Sequence, residues 1–387
     1  MMAKLIEITG KALSGEWGTD DEVGNGIPVL RTTNFTNEGV VNYDNVVTRT
    51  ITKKNIAEKY LRAGDIIIEK SGGSDKQPVG RVIYFDGPEH TYLFNNFTGL
   101  LRVKDQNAWF PKYVFYSLFA NYRKGGTRPF ENKTTGLHNL KTDDYVSKYV
   151  VNDAEYNEQI NICNNLDKIW NIIQLRRGEL EKLDELIKAR FVEMFGNCNN
   201  EILIGDAISI CRGASPRPIQ AFITDDPNGV NWIKIGDVSE NSLYITQTAE
   251  KITQEGARKS RAVHKGDFIL SNSMSFGRPY ILGIDGCVHD GWLILSDFRD
   301  YFDELYLYHA LRSEHVQHQF GGVVNGATVK NLNSDLVKGT YIQLPDMDDQ
   351  KEFAAFVIQV DKSKAAVQKA LDEAQVLFDS LMQEYFG

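Results

Sequence analysis

Gly64 to Ser74 reads GDIIIEKSGGS, and Gly266 to Phe276 reads GDFILSNSMSF. Each is a Gly-Asp turn, an apolar run of strand length, and then a short polar segment. The turn and the strand recur, while the polar segment is rewritten. Other stretches match in the same order. IPVLRTTNF (Ile27–Phe35) answers to NWIKIGDVS (Asn231–Ser239), and VGRVIYF (Val79–Phe85) to FGRPYIL (Phe276–Leu282). PKYVFYSLF (Pro111–Phe119) pairs with DELYLYHAL (Asp303–Leu311), both reading as short helices. TTGLHNLKTDDY (Thr134–Tyr145) pairs with ATVKNLNSDLV (Ala327–Val337). The chain is an internal duplication.

Each copy closes on a short strand, SKYVV or TYIQL, and enters a long helix ending in Phe-Gly. In the second helix Phe353, Val357, Val360, Val367, Leu371, Ala374, Phe378, Leu381 and Tyr385 alternate steps of four and three, with Lys364 interrupting. The first keeps the same beat at Ile162, Leu166, Ile169, Ile173, Leu180, Leu183, Ile187 and Met194, with Arg176 and Arg190 interrupting. A 3.5-residue apolar period of this length predicts a coiled-coil seam, the alternative being an amphipathic helix lying on its own domain. Some forty residues at ~1.5 Å each favour the seam, because such a helix outruns one domain. The expected fold class is α+β: globular parts at 1–151 and 197–344, helical segments at 152–196 and 345–387, and the two helices paired antiparallel.

The bulk numbers suit this plan. The 387 residues exceed one ordinary domain, and 42% apolar with 25% charged residues is a globular composition. No apolar run reaches the length of a membrane span, and the first residues lack a signal-peptide layout. Four scattered cysteines without a CxxC fit a reducing cytoplasm. The net charge of −9 argues against nucleic acid at face value. Yet residues 1–151 hold 20 Lys+Arg against 17 Asp+Glu, and the deficit lies in the rest of the chain.

Catalytic signatures are missing. There is no phosphate-cradling GxxxxGK[ST], no dinucleotide fingerprint and no GxSxG elbow. His309, His315 and His318 have no cysteine near them and read as a polar helix face. Asp65, Glu69 and Lys70 resemble the strand-borne acid pair and lysine of Mg²⁺ nucleases. The second copy has Asp267, Ser271 and Asn272 there, which cannot hold the same ion. Asp65 and Asp267 are therefore expected to satisfy backbone donors at the turn entering the strand.

What the rewritten segments do offer is hydrogen-bonding chemistry: Lys or Arg for guanine, Asn or Gln for adenine, Ser and backbone N–H for phosphate. In the first copy the DNA-contact candidates are Arg31, Thr33 and Asn34; Lys70, Ser71, Gly72, Gly73, Ser74, Lys76, Gln77 and Arg81; and Arg123, Lys124, Arg128 and Lys133 of the basic loop NYRKGGTRPFENK. In the second they are Arg212, Ser215, Arg217, Lys234, Lys259 and Arg261; Ser271, Asn272, Ser273, Met274, Ser275 and Arg278; and Asn325 and Lys330. No metal-binding set is expected.

With these motifs in order, the chain resembles the specificity subunit of a type I restriction–modification system along essentially its whole length. GDIIIEKSGGS/GDFILSNSMSF followed by VGR/FGR, NGATVKNLNSDL leading to IQLP, and the helix openings NEQINICNNLDKI and DQKEFAAFVIQVDKSKAAV carry the resemblance. It implies two target-recognition domains, each reading one half of a split site in double-stranded DNA. It also implies helical spacers that dock two methyltransferase subunits and the restriction subunits. S-adenosylmethionine, ATP and Mg²⁺ would then belong to those partners and no cofactor to this chain, which would be non-catalytic. The first helical segment departs from the family in opening VVNDAEYNEQ, without a Leu-Pro lead-in. A protein-binding coiled-coil scaffold and a standalone nuclease are the readings that compete.

Overall fold

The middle of each central strand, Ile66–Ile68 in one copy and Phe268–Leu270 in the other, is apolar at every position because both its faces are covered. In the computed structural model, which describes residues 2–53, 56–134, 137–238, 243–272, 277–321 and 332–387, the packing divides the chain into two units. One comprises Met1–Arg177 with Lys369–Gly387; the other is Gly178–Gln368. In the first, strand Asp65–Glu69 lies between Thr98–Leu101 and Val82–Phe85, antiparallel to both. Ile66 and Ile68 point into a core with helix Pro111–Arg123, while Ile67 joins Leu30, Phe85, Phe94 and Leu100 between this sheet and a second one. Side chains alternate faces along a strand, so a run buried on both sides shows no polar alternation.

The second unit repeats the arrangement. Strand Phe268–Ser271 lies between Trp292–Ser296 and Pro279–Leu282. Phe268 and Leu270 face the helices, and Ile269 faces Ile233, Val288 and Trp292. Each unit also holds a matching short parallel pairing, Ile27–Leu30 beside Leu93–Phe94 and Val230–Ile233 beside Gly286–Val288, and the second adds Tyr244–Ile245 beside Pro279–Leu282. Met2–Lys4 pairs antiparallel with Val150–Asn152, as Glu201–Leu203 does with Tyr341–Gln343. The molecule is thus a mixed helix-and-sheet fold whose two units share the order of four strands in each of two sheets, the second unit adding an edge strand to both.

The long helices are Tyr156–Phe195 and Met347–Phe386. Their apolar seam positions are buried or half-buried throughout. In the second unit Asp184 meets Lys364 at 2.7 Å, Arg190 meets Glu352 at 2.9 Å, and the rings of Phe191 and Phe353 lie 5.4 Å apart. Numbers rise along one helix as they fall along the other, so these segments run antiparallel. In the first unit Trp170 and Phe378 stand 5.7 Å apart. Two of the charged interruptions of the seam, Lys364 and Arg190, find acidic partners on the opposite helix.

A buried glutamine fixes each long helix to its own unit. The Gln159 amide accepts from Phe110 N at 2.8 Å and donates to Ala108 O and Ala154 O. The Gln350 amide accepts from Asp303 N at 2.9 Å and donates to Tyr301 O and Pro345 O. Each thereby satisfies backbone groups where a short helix begins, groups that no helical bond reaches.

His315 and His318 are exposed, as a polar face requires, but His309 is not. Its ring packs 5.3 Å from Phe353. Burial, with Arg312 and Lys364 nearby and only Asp184 opposing, pushes its pKa down to about 3. The unfolded chain takes up a proton near the ordinary value of ~6.5 while the folded unit does not, so stability is complete above that pH and is lost as pH falls from ~6.5 toward 3. By pH 4.5 the loss from this group is about 3 kcal/mol. His309→Leu, measured by denaturant titration at pH 7 and 4.5, is expected to be less acid-sensitive than the native chain by about that amount.

Candidate nucleic-acid interface

In the first unit the rewritten segment is held from behind. Ser71 bridges to Asn139 through backbone pairing and through Oγ donating to Asn139 Oδ1 at 2.5 Å. Gly72 N donates to His138 O, and Leu140 N to Lys70 O. Gly72 has φ +144°, and a Cβ there would lie 2.8 Å from Glu69 Oε1, so only glycine fits this turn. A tight turn follows, with Ser74 N donating to Gln77 O and Gln77 N to Ser74 Oγ. The buried Glu131 carboxylate accepts from Val79 N at 3.1 Å and meets His138 Nδ1 at 3.2 Å. Asp75 pairs with Lys133, which holds its carboxyl below the usual range. Lys70 donates to Ser14 Oγ, and burial lowers its pKa, Asp143 opposing the shift. Gln77 donates to Asn37.

Several candidates are held by other groups of the chain. The Arg81 guanidinium grips Glu69 with two parallel bonds of 3.1 and 3.0 Å and donates to Phe35 O and Thr32 O. Asn34 accepts from Arg31 N and donates to Asn42 O and Asp44 O. Arg123 pairs with Asp379 and Lys124 reaches Phe386 O, both turned toward the last helix. Arg31 donates to Asn45 O, while its Nε is buried without a partner. Thr33, Lys76 and Arg128 are exposed.

The acid pair behaves as the turn argument expects. Asp65 Oδ2 accepts from Arg62 N at 2.8 Å, and Asp267 Oδ2 from His264 N at 2.8 Å. Arg102 clamps both Asp65 oxygens as Arg81 clamps those of Glu69. Carboxylates held in this way offer no open ligand edge. Among the described residues no cluster of three or more His, Cys, Asp or Glu could hold a metal ion.

The second unit gathers its polar groups around a residue the sequence does not flag. Asp290 lies in the turn after strand Gly286–Val288. Its carboxylate accepts from Ser215 Oγ at 2.9 Å and Arg217 Nη2 at 3.2 Å, with His289 Nε2 at 3.1 Å. Its backbone oxygen accepts from Arg212 Nε at 2.9 Å and Asn272 Nδ2 at 3.3 Å. Partial burial opposes ionisation, but Ser215, His289 and Arg217 outweigh it and the carboxyl lies below its usual range. Across a cleft of about 460 Å³, Lys234 pairs with Glu250 at 2.6 Å. Ser271 and Asn272 are buried, so they line this head from beneath. Lys259 pairs with Glu255 and sits 4.6 Å over the Phe222 ring, and Arg261 is exposed. Arg278 is half-buried. Ser273, Met274, Ser275, Asn325 and Lys330 lie outside the described residues.

The first unit has a counterpart of the turn that carries Asp290. The turn Asn95–Phe97 occupies the same topological place in the first unit, with Lys70 N donating to Phe97 O as Asn272 N donates to Gly291 O. Gly15 and Gly213 approach these turns equally closely, a Cβ meeting Asn95 O at 2.1 Å or His289 O at 2.2 Å.

Among the described residues no helix is long and apolar enough to cross a membrane. The model of the type I restriction modification DNA specificity domain matches residues 200–374. The type I restriction-modification system S subunit from M. genitalium is 14% identical, with a TM-score of 0.56, covering 100% of this chain and 96% of that one. A chain from a structure described for complex assembly and conformational transition of the type I R-M system is 15% identical, with a TM-score of 0.60 and coverage of 100% and 97%. At these identities the structural likeness is one of fold. Residues 200–374 thus match the type I restriction modification DNA specificity domain, and the whole chain shares the fold of these S-subunit structures.

Proposed function

We propose that the chain reads a bipartite, asymmetric site in double-stranded DNA and does no chemistry itself. One observation carries this: in two units that share the order of four strands in each of two sheets, the polar groups beside the end of the central strand differ, the segment Lys70–Gln77 in one and Asp290, hydrogen-bonded to Asn272, in the other. The first head offers Lys76, Arg128 and the glycine turn; the second is organised around Asp290. Unlike heads read unlike half-sites, which makes the target asymmetric. In this reading the units are tandem target-recognition domains. The helices Tyr156–Phe195 and Met347–Phe386, whose segments run antiparallel in the second unit, form the coiled coil that docks two methyltransferase subunits and the restriction subunits in the cytoplasm. S-adenosylmethionine, ATP and Mg²⁺ enter with those partners.

The acidic balance of the chain means few phosphates can be neutralised, so the isolated chain binds DNA weakly and the test uses the complex with methyltransferase subunits. Sequencing of methylated adenines in host DNA gives the site, and competition binding follows. A duplex carrying that site is expected to compete about 10³-fold better than a scrambled one. Equal competition by all duplexes rejects the proposal and leaves the protein-binding scaffold. Exchange of residues 70–78 is expected to change one half-site only.

A further inference from the structure

Arg217 is 81% exposed, yet it is held by a carboxylate in the middle of a face proposed to meet DNA. An ion pair so exposed adds little stability. Asp290 therefore has another use, and its surroundings define it. The same residue arranges Ser215, Arg217, Arg212 and Asn272, and it borders the cleft in which Glu250 likewise holds Lys234. Both cations at this cleft are paired internally, and a carboxylate at its rim repels phosphate. A carboxylate only accepts hydrogen bonds, so what it receives is a donor. In the major groove the donors are the amino groups of cytosine N4 and adenine N6, and Asp or Glu is the side chain that accepts from cytosine N4.

We infer that Asp290 is a specificity-determining residue: it makes this cleft a reader of a base edge bearing an amino group, cytosine N4 foremost, and keeps Arg217 off the phosphates. The inference rests on the DNA-reading function proposed above. Ser215, His289 and Arg217 position the carboxylate.

The test uses the complex with methyltransferase subunits and the methylated sequence of the native chain as reference. Asp290→Asn puts an amide donor where only an acceptor stood. It is expected to lose selection by about tenfold at one base pair of one half-site, leaving the other half-site intact. Arg217→Ala, at an exposed position that folding does not need, is expected to leave the salt dependence of DNA binding unchanged. An unaltered methylation profile for Asp290→Asn overturns the inference. So does a fall of about one in the salt slope for Arg217→Ala, which would mark Arg217 as a phosphate contact. A native complex with no sequence preference overturns the proposed function and this inference together. A selective native complex with an unaltered Asp290→Asn profile overturns this inference alone.

Discussion

Glu69→Ala is expected to destabilise the first unit by about 3–5 kcal/mol, the range for breaking a buried ion pair by removing one partner. The Glu69 side chain is 2% exposed, and both its oxygens accept from Arg81. Removing it leaves the guanidinium buried with only Phe35 O and Thr32 O to satisfy. The same guanidinium ties the central strand to the loop at 32–35, so that loop loosens with the core. Denaturant unfolding of the purified chain measures the loss, and Glu69→Gln, which keeps one acceptor oxygen, is expected to lose less. The experiment also separates the nuclease reading. A metal-binding carboxylate usually destabilises the empty protein through repulsion, so its removal would leave stability unchanged or improved. A stability loss of the stated size identifies Glu69 as a structural support.

Gln350→Leu is expected to lower the stability of the second unit by about 3 kcal/mol. The amide is wholly buried and makes three hydrogen bonds at the start of two helices. Leucine fills similar space but leaves Asp303 N, Tyr301 O and Pro345 O without that partner, each a part-buried bond whose loss costs about 1 kcal/mol. Gln159→Leu is the internal control, since Phe110 N, Ala108 O and Ala154 O stand in the same relation to it. Similar losses for both, by denaturant unfolding, would show that the duplicated contact does the same work twice. A loss below 1 kcal/mol for either would show that water replaces the amide there.

The amino-acid order by itself determined the duplication, the long helices and the strand at the centre of each unit. These follow from local patterns: Gly-Asp turns, apolar runs of strand length and a seven-residue beat sustained over about forty residues. It also determined that Asp65 and Asp267 serve their turns, because a ligand role would have needed Glu69 in both copies. Tertiary structure decided which polar side chains remain available. Arg81 and Lys76 look alike in the segment KSGGSDKQPVGR, yet one is locked on Glu69 while the other is exposed. Asn34, Arg123 and His309 were likewise assigned to the surface by residue type; Asn34 is buried on Asn42 O and Asp44 O, Arg123 pairs with Asp379, and His309 packs against Phe353. Asp290 was overlooked for the converse reason: its partners at 212, 215, 217 and 272 are brought to it only by sheet pairing. Periodicity is a property of neighbours along the chain and can be read from the sequence. The pairing of charges depends on which strands lie side by side, and only the folded chain sets that.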